Sequence, residues 1–179
     1  MEHITGHDGR EADIAGLFSA VFAASEGDDE GRLIGDLVAE LMETTASEDL
    51  YVYSAYEADS LVGCIFFTRL TYAQDARTVF MLAPVAVKTD RQKAGVGQKL
   101  ITFGLDELRN KGVDIVVTYG DPIYYSKVGF AQIREEIAAA PLKLQFPHGW
   151  QAQSLTAGTI EPLAGASQCV EAFDNPELW

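Results

Sequence analysis

The chain has 179 residues, thirteen Lys and Arg against 27 Asp and Glu, and a formal net charge of −14. Hydrophobic residues make up 47% of it, enough to bury a full core, and the length suits one domain over residues 1–179. Such acidity repels nucleic acid and anionic membranes, which excludes a general DNA-binding role. No run of about 18 apolar residues occurs, so no membrane span is expected. The start Met1-Glu2-His3-Ile4-Thr5 lacks the basic and apolar parts of a secretory signal, so a cytoplasmic location is expected. Cys64 and Cys169 sit among apolar neighbours and read as buried, reduced thiols. His3, His7 and His148 form no ligand spacing with them, so no metal is expected.

In chain order, Asp8 followed by Glu11 reads as a helix start related to the capping box. Ile14, Leu17, Phe18, Val21 and Phe22 then recur at helical spacing. Glu26-Gly27-Asp28-Asp29 breaks the pattern, and a second helix carries Leu33, Ile34, Leu37, Val38, Leu41 and Met42 on one face. From Leu50 the composition turns to strand formers. Residues 50–56 and 61–70 flank a turn at Glu57-Ala58-Asp59-Ser60 and predict a hairpin.

The apolar run 78–87 predicts a central strand buried on both faces. Pro84 conflicts with an uninterrupted ladder, because proline has no N–H to donate. The strand must bulge there or diverge from its neighbour, and either leaves backbone groups for a ligand. A helix begins near Gly95 and closes with Arg109, Lys111 and Gly112. Residues 113–119 form the next strand, so 78–119 is one βαβ unit with parallel strands. Residues 120–130 read as a loop with a short helical turn. Residues 131–137, 142–146 and 167–173 read as C-terminal strands, 157–165 as irregular, and the last five residues as a loose end. The fold class is α/β (α+β), a mixed sheet flanked by helices.

The chemistry is concentrated where that βαβ unit turns. Gln92-x-x-Gly95-x-Gly97 lies between the apolar strand and the helix. Glycines allow close backbone approach, and successive N–H groups at a helix start point outward, which makes an anion site. Lys88, Arg91, Lys93 and Lys99 add charge against the single acid Asp90. A diphosphate is the natural ligand. A Gly-x-Gly-x-x-Gly dinucleotide fingerprint is absent, because Leu100 stands three residues after Gly97, and no Walker-type loop occurs.

The run Leu82-Ala83-Pro84-Val85-Ala86-Val87-Lys88-Thr89-Asp90-Arg91-Gln92-Lys93-Ala94-Gly95-Val96-Gly97 resembles the coenzyme-A-binding motif of the GNAT superfamily of N-acetyltransferases. Tyr124-Tyr125-Ser126-Lys127-Val128-Gly129-Phe130 resembles that superfamily's second motif, and Gly120-Asp121-Pro122-Ile123-Tyr124-Tyr125 is similar to a bacterial subgroup of poorly assigned members. The resemblance covers residues 79–130. Thr89 and Arg91 depart from the proline and aromatic that the family often carries, while residues 131–179 match nothing specific.

The resemblance implies an acetyl-CoA-dependent N-acetyltransferase acting on a primary amine of a small molecule or protein, with acetyl-CoA as cosubstrate. It implies that the backbone of Val85, Ala86 and Val87 pairs with the pantetheine arm. The backbone of Gln92, Lys93, Ala94, Gly95, Val96, Gly97 and Gln98 would cradle the pyrophosphate, and an N–H near Pro84, taken as that of Val87, would polarise the thioester carbonyl. Tyr125 takes the position of the acid that protonates the leaving thiolate. Asp121, Glu40 and Glu43 are weighed as bases, and loop capping for Asp121 and plain solvation for the two glutamates stand beside that role. A non-catalytic acyl-CoA-binding or sensing domain is the alternative, and a nucleotide-binding interaction domain is the third. The oligomeric state, a homodimer included, stays open.

Overall fold

In a computed structural model that describes residues 1–156 and 158–179, the chain divides into two compact units. One comprises Met1–Phe67 with Pro84–Gly104, the other Thr68–Ala83 with Leu105–Trp179.

The first unit opens on strand β1 (Glu2–Thr5), followed by helices α1 (Glu11–Glu26) and α2 (Asp28–Thr44). Helix α1 starts at Glu11 rather than at Asp8. Arg10 occupies the N-cap without a side-chain bond, and the Glu11 carboxylate reaches back to the Gly9 N–H at 3.2 Å. The expected capping box between Asp8 and Glu11 is therefore not formed: Glu11 is itself the first helical residue, and its carboxylate takes the Gly9 N–H instead of that of Asp8. Gly27, at φ 100°, is the single residue between the helices. The two pack so closely that a Cβ on Gly31 would stand 2.6 Å from the Ser19 carbonyl oxygen and 2.7 Å from the Ala23 Cβ. Asp28, Asp29 and Glu30 occupy the first turn of α2, where the helix dipole favours negative charge.

Strand β2 (Leu50–Glu57) pairs antiparallel with β1, from Glu2↔Tyr56 to Thr5↔Tyr53. Ala58 and Asp59, at φ 45° and 63°, form the two-residue turn into strand β3 (Ser60–Tyr72), giving the expected hairpin. The two faces of β3 are packed by different helices. Phe66 meets Phe18 of α1 edge-on at 5.4 Å between ring centroids. On the other face lies helix α3 (Val96–Asn110), where a Cβ on Gly104 would sit 2.7 Å from Phe67 and 3.0 Å from Ile65.

Strand β4 (Asp75–Val87) leads into α3, and β5 (Ile115–Tyr119) follows it. Strands β4 and β5 are parallel, in register from Val79↔Ile115 to Leu82↔Thr118, as the βαβ pattern predicts. The strand runs on through Pro84 to Val87 while β5 ends at Tyr119. The paired register ends at Leu82↔Thr118, two residues before the proline.

The second unit continues with helix α4 (Pro122–Ser126) and strands β6 (Ala131–Gln132), β7 (Trp150–Ser154) and β8 (Ser167–Gln168). Within this unit the strand order is β4-β5-β7-β6, and β8 pairs with the end of β3; within the first it is β1-β2-β3-β4. Here the expected strands need correction. Residues 131–137 yield strand only at Ala131–Gln132, 142–146 yield none, and 167–173 split into β8 and a 3-10 turn at Glu171–Phe173. The strand that fills this part of the sheet is β7, antiparallel to β5. The end of the chain is not loose. Trp179 is 2% exposed, donates from Nε1 to the Phe173 carbonyl at 2.9 Å and packs on Tyr119, Trp150 and Phe173. Ala157 lies outside the described residues; 158–165 carry neither helix nor strand, as expected.

Candidate functional site

Strand β4 ends in the first unit by handing its chain to the glycine-containing turn. The Lys88 N–H donates to the Val62 carbonyl of β3 at 2.8 Å. Neighbouring residues of a strand direct their backbone groups to opposite edges, so Val87 and Val85 present N–H and C=O on the edge away from β3, while Ala86, expected with them, turns its backbone towards β3 as Lys88 does. The Gln92 side chain folds back and donates from Nε2 to the Val87 carbonyl at 3.0 Å. That bond ties the loop to the end of the strand.

Thr89–Arg91 form one 3-10 turn, and the backbone then reverses hand twice, at Lys93 (φ 64°) and at Gly95 (φ 81°). Lys93 bears the strain of a left-handed non-glycine residue, a feature that marks loops shaped for a purpose. The bond that closes α3 runs from the Lys99 N–H to the Gly95 carbonyl at 3.1 Å. The expected cradle loses its first member, because the Gln92 N–H is turned to the Thr89 carbonyl at 3.4 Å; among the described residues, no backbone acceptor stands against the amides of Lys93, Ala94, Gly95, Val96, Gly97 and Gln98. These are the orphan donors of a helix start, at the positive end of its dipole. Gln92, Lys93 and Ala94 are exposed, Gly95 and Gln98 half-buried, and Val96 and Gly97 buried.

The charge around this turn differs from the expectation in one respect. Arg91 is taken up by Glu57, Nε to Oε2 at 2.9 Å, and by Asp90 at 3.3 Å. Lys88, Lys93 and Lys99 are exposed and make no ion pair among the described residues. Lys88, Thr89 and Asp90 also border a groove of about 750 Å³ against α1 that no sequence motif anticipated.

Tyr125 lies in the second unit, on α4. Asp121 caps that helix by accepting the Ile123 N–H at 2.9 Å, and Pro122 occupies the first turn. The capping role weighed for Asp121 is therefore present. The Tyr125 ring lies against Gly120, where a Cβ would come within 2.9 Å of its Cε2, and meets Tyr124 and Phe130 edge-on at 5.0 and 5.8 Å. Burial, then the neighbouring Tyr124 and Asp121, hold the phenol's pKa well above its ordinary value, while the Thr118 hydroxyl acts in the other direction. The same Thr118 hydroxyl donates to the Leu82 carbonyl at 2.8 Å, at the last paired position of β4 and β5.

Glu40 and Glu43 are exposed on α2. Cys64 is buried, and burial pushes its thiol up to about 12; Cys169 is half-buried, and its thiol is also raised by burial. Both thiols are free. His7, Asp8 and Glu11 bring ligand-type atoms within 4.8 Å of one another at the entry to α1, a grouping that sequence spacing did not single out. Among the described residues no helix is long and apolar enough to cross a membrane.

The fold is mixed α/β, and the amides at the start of α3 have no backbone acceptor among the described residues. Comparison with known proteins gives the class. The model of the acetyltransferase (GNAT) family matches residues 14–130. The chain belongs to the GNAT acetyltransferase family. It is 36% identical over 149 residues to the uncharacterized N-acetyltransferase YjhQ of Escherichia coli K12, covering 80% of this chain and 81% of that one. It is 27% identical over 167 residues to the uncharacterized N-acetyltransferase YhbS of the same organism, covering 91% and 94%. Among solved structures it shares its fold with YhbS from Escherichia coli in complex with CoA, at TM-score 0.77 and 23% identity over 97% of this chain and 92% of that one. A GNAT family acetyltransferase from Brucella melitensis in complex with acetyl-CoA has a TM-score of 0.74 and 24% identity, covering 97% of each chain.

Proposed function

We propose that this chain is an acetyl-CoA-dependent N-acetyltransferase that acylates a primary amine. The observation that carries the reading is the run of unpaired amides from Lys93 to Gln98 behind a strand end braced by Gln92. Six donors without a backbone acceptor on one turn, with three unpaired lysines beside it, suit a diphosphate better than any smaller anion.

Acetyl-CoA, when bound, supplies an activated thioester. The chain's part is to hold and orient it and to manage protons. The amides of residues 93–98 hold the diphosphate. In this reading the outward backbone groups of Val85 align the arm that leads from it, and the Val87 N–H polarises the thioester oxygen. Donors arranged in advance in this way supply a few kcal/mol of transition-state stabilisation.

The attacking amine must be neutral. For a lysine-like amine with pKa ~10.4, that costs about 4.6 kcal/mol at pH 7. The departing thiolate needs a proton, and Tyr125 is the donor in this account. Its raised pKa has two consequences. The phenol stays protonated across the working pH range, so the donor is always present. It is also a weaker acid than free tyrosine, so the proton moves as the carbon–sulfur bond breaks rather than before.

Thiol release on mixing acetyl-CoA with a panel of primary amines tests the reading. The account predicts release that depends on both components. Tight CoA binding with no release across the panel would leave a CoA-binding or sensing domain instead.

A further inference from the structure

The second unit contains a recess of about 350 Å³ whose walls are Tyr119, Gly120, Asp121, Phe146, His148 and Gly149. Its composition is unusual for this chain. Phe146 is 60% exposed, and Ile123, beside the lining residue Pro122, is 75% exposed. They are two of only three large hydrophobic side chains exposed among the described residues. Exposed apolar surface gathered around a concavity marks a ligand site.

The recess is also held in shape. The Phe146 N–H donates to the Tyr119 hydroxyl oxygen at 2.8 Å. The buried Gln151 side chain donates from Nε2 to the carbonyls of Gly120 and Gly149 at 3.2 and 3.1 Å, joining two of its walls. Tyr119 is stacked on Trp179 and set edge-on to Trp150. The Phe146 and His148 rings stand edge-on at 6.1 Å.

One carboxylate faces this aromatic lining. Asp121 uses Oδ1 to cap α4, and no ion pair engages it among the described residues. A carboxylate beside aromatic faces selects a cation, through charge and through the ring quadrupole. That same selectivity disfavours the reacting amine. Attack requires the neutral form, whereas this recess stabilises the protonated one. The Gly120 wall is the residue on which the Tyr125 ring rests.

Resting on the acetyltransferase reading above, we propose that this recess is an acceptor subsite holding a second, non-reacting ammonium group, so that the substrate class is small alkyl diamines and polyamines. The overall charge of −14 adds attraction for such cations.

The test compares 1,4-diaminobutane with n-butylamine, which has the same chain length and one charge fewer, using the full chain and acetyl-CoA. The expected kcat/KM for the diamine exceeds that for the monoamine by about tenfold, since a charge pair and a cation–π contact together reach that factor. In Asp121→Asn, which preserves the helix cap, the ratio falls towards one. In Phe146→Ala it falls by about threefold. Equal use of the two amines by the parent chain, or a ratio that survives Asp121→Asn, overturns the proposal. An equal drop for both substrates would assign Asp121 to the chemistry instead and also overturns it. If no amine is acetylated, the acetyltransferase reading fails by itself. Calorimetric titration of 1,4-diaminobutane into the CoA-loaded chain then decides the subsite. Binding weakened by Asp121→Asn supports it, and no binding, or binding indifferent to the substitution, overturns it.

Discussion

The Gln92 side chain donates to the Val87 carbonyl at 3.0 Å and so couples the turn before α3 to the last residue of β4. Gln92 is exposed, and its loss removes no core packing. Gln92→Ala is expected to leave thermal stability within about 0.5 kcal/mol of the parent. Freed from the strand, the turn must be ordered on binding, so CoA affinity should fall about fivefold, in line with the worth of one hydrogen bond. Calorimetry with CoA and a melting curve on the same sample read both effects.

Gly95 stands at φ 81°, and a Cβ there would meet nothing within 4 Å. The cost of a side chain is therefore backbone strain alone. Gly95→Asn should cost little, since asparagine tolerates the left-handed region, and Gly95→Val should cost about 1–2 kcal/mol. Urea unfolding midpoints check the order. Equal effects of the two substitutions would mean that crowding, not conformation, decides the site. Gly31 offers the opposite case, since its φ is ordinary and the neighbouring backbone of α1 is in the way. Gly31→Ala should destabilise by about 1–3 kcal/mol through overpacking.

Tyr125→Phe keeps the ring that packs on Gly120, Tyr124 and Phe130 and removes only the hydroxyl. Turnover is expected to fall by about a hundredfold or more with CoA binding retained. Because the phenol's pKa is raised, the parent chain's rate should show no alkaline decline from this group below about pH 10. A decline near pH 8 to 9 that vanishes in Tyr125→Phe would contradict the environment described for it.

Alkaline pH should destabilise the fold through Cys64. Its thiol is pushed up to about 12 by burial, against roughly 8.5 in an unfolded chain. Above pH 8.5 the unfolded state loses its proton first, so stability is full below that value and falls as pH rises towards 12. Cys64→Ala should remove this part of the slope at the expense of a small cavity. Urea midpoints measured from pH 8 to 10.5 check it. In the native state at pH 8, Cys64 should also fail to react with a thiol reagent.

The parts of the fold that were readable in advance are those governed by local pattern. The α2 stripe, the 58–59 turn and the apolar β4 and β5 runs each carry their own period. The turn before α3 was readable because Gly95 supplies the left-handed residue that such a turn uses. Strand β1 was missed because four residues with two exposed ends, Glu2 and Thr5, carry no clear alternation. Strand β7 was missed because Trp150-Gln151-Ala152-Gln153-Ser154 buries a glutamine, whose partner Gly120 stands 31 positions upstream and is set by tertiary contact. Trp179 was misread for the same reason: its aromatic partners lie up to 60 residues away. The pairing of Arg91 with Glu57 likewise depends on a turn 34 positions upstream.

The central claim is that the main-chain amides of residues 93–98 hold a diphosphate. Amide resonances of the full chain, followed by two-dimensional NMR during titration with CoA and separately with pantetheine, test it most directly. The account predicts that the signals of Lys93 to Gln98 move strongly with CoA and stay nearly still with pantetheine, which lacks the diphosphate. Saturable CoA binding that leaves those six amides unmoved would contradict it.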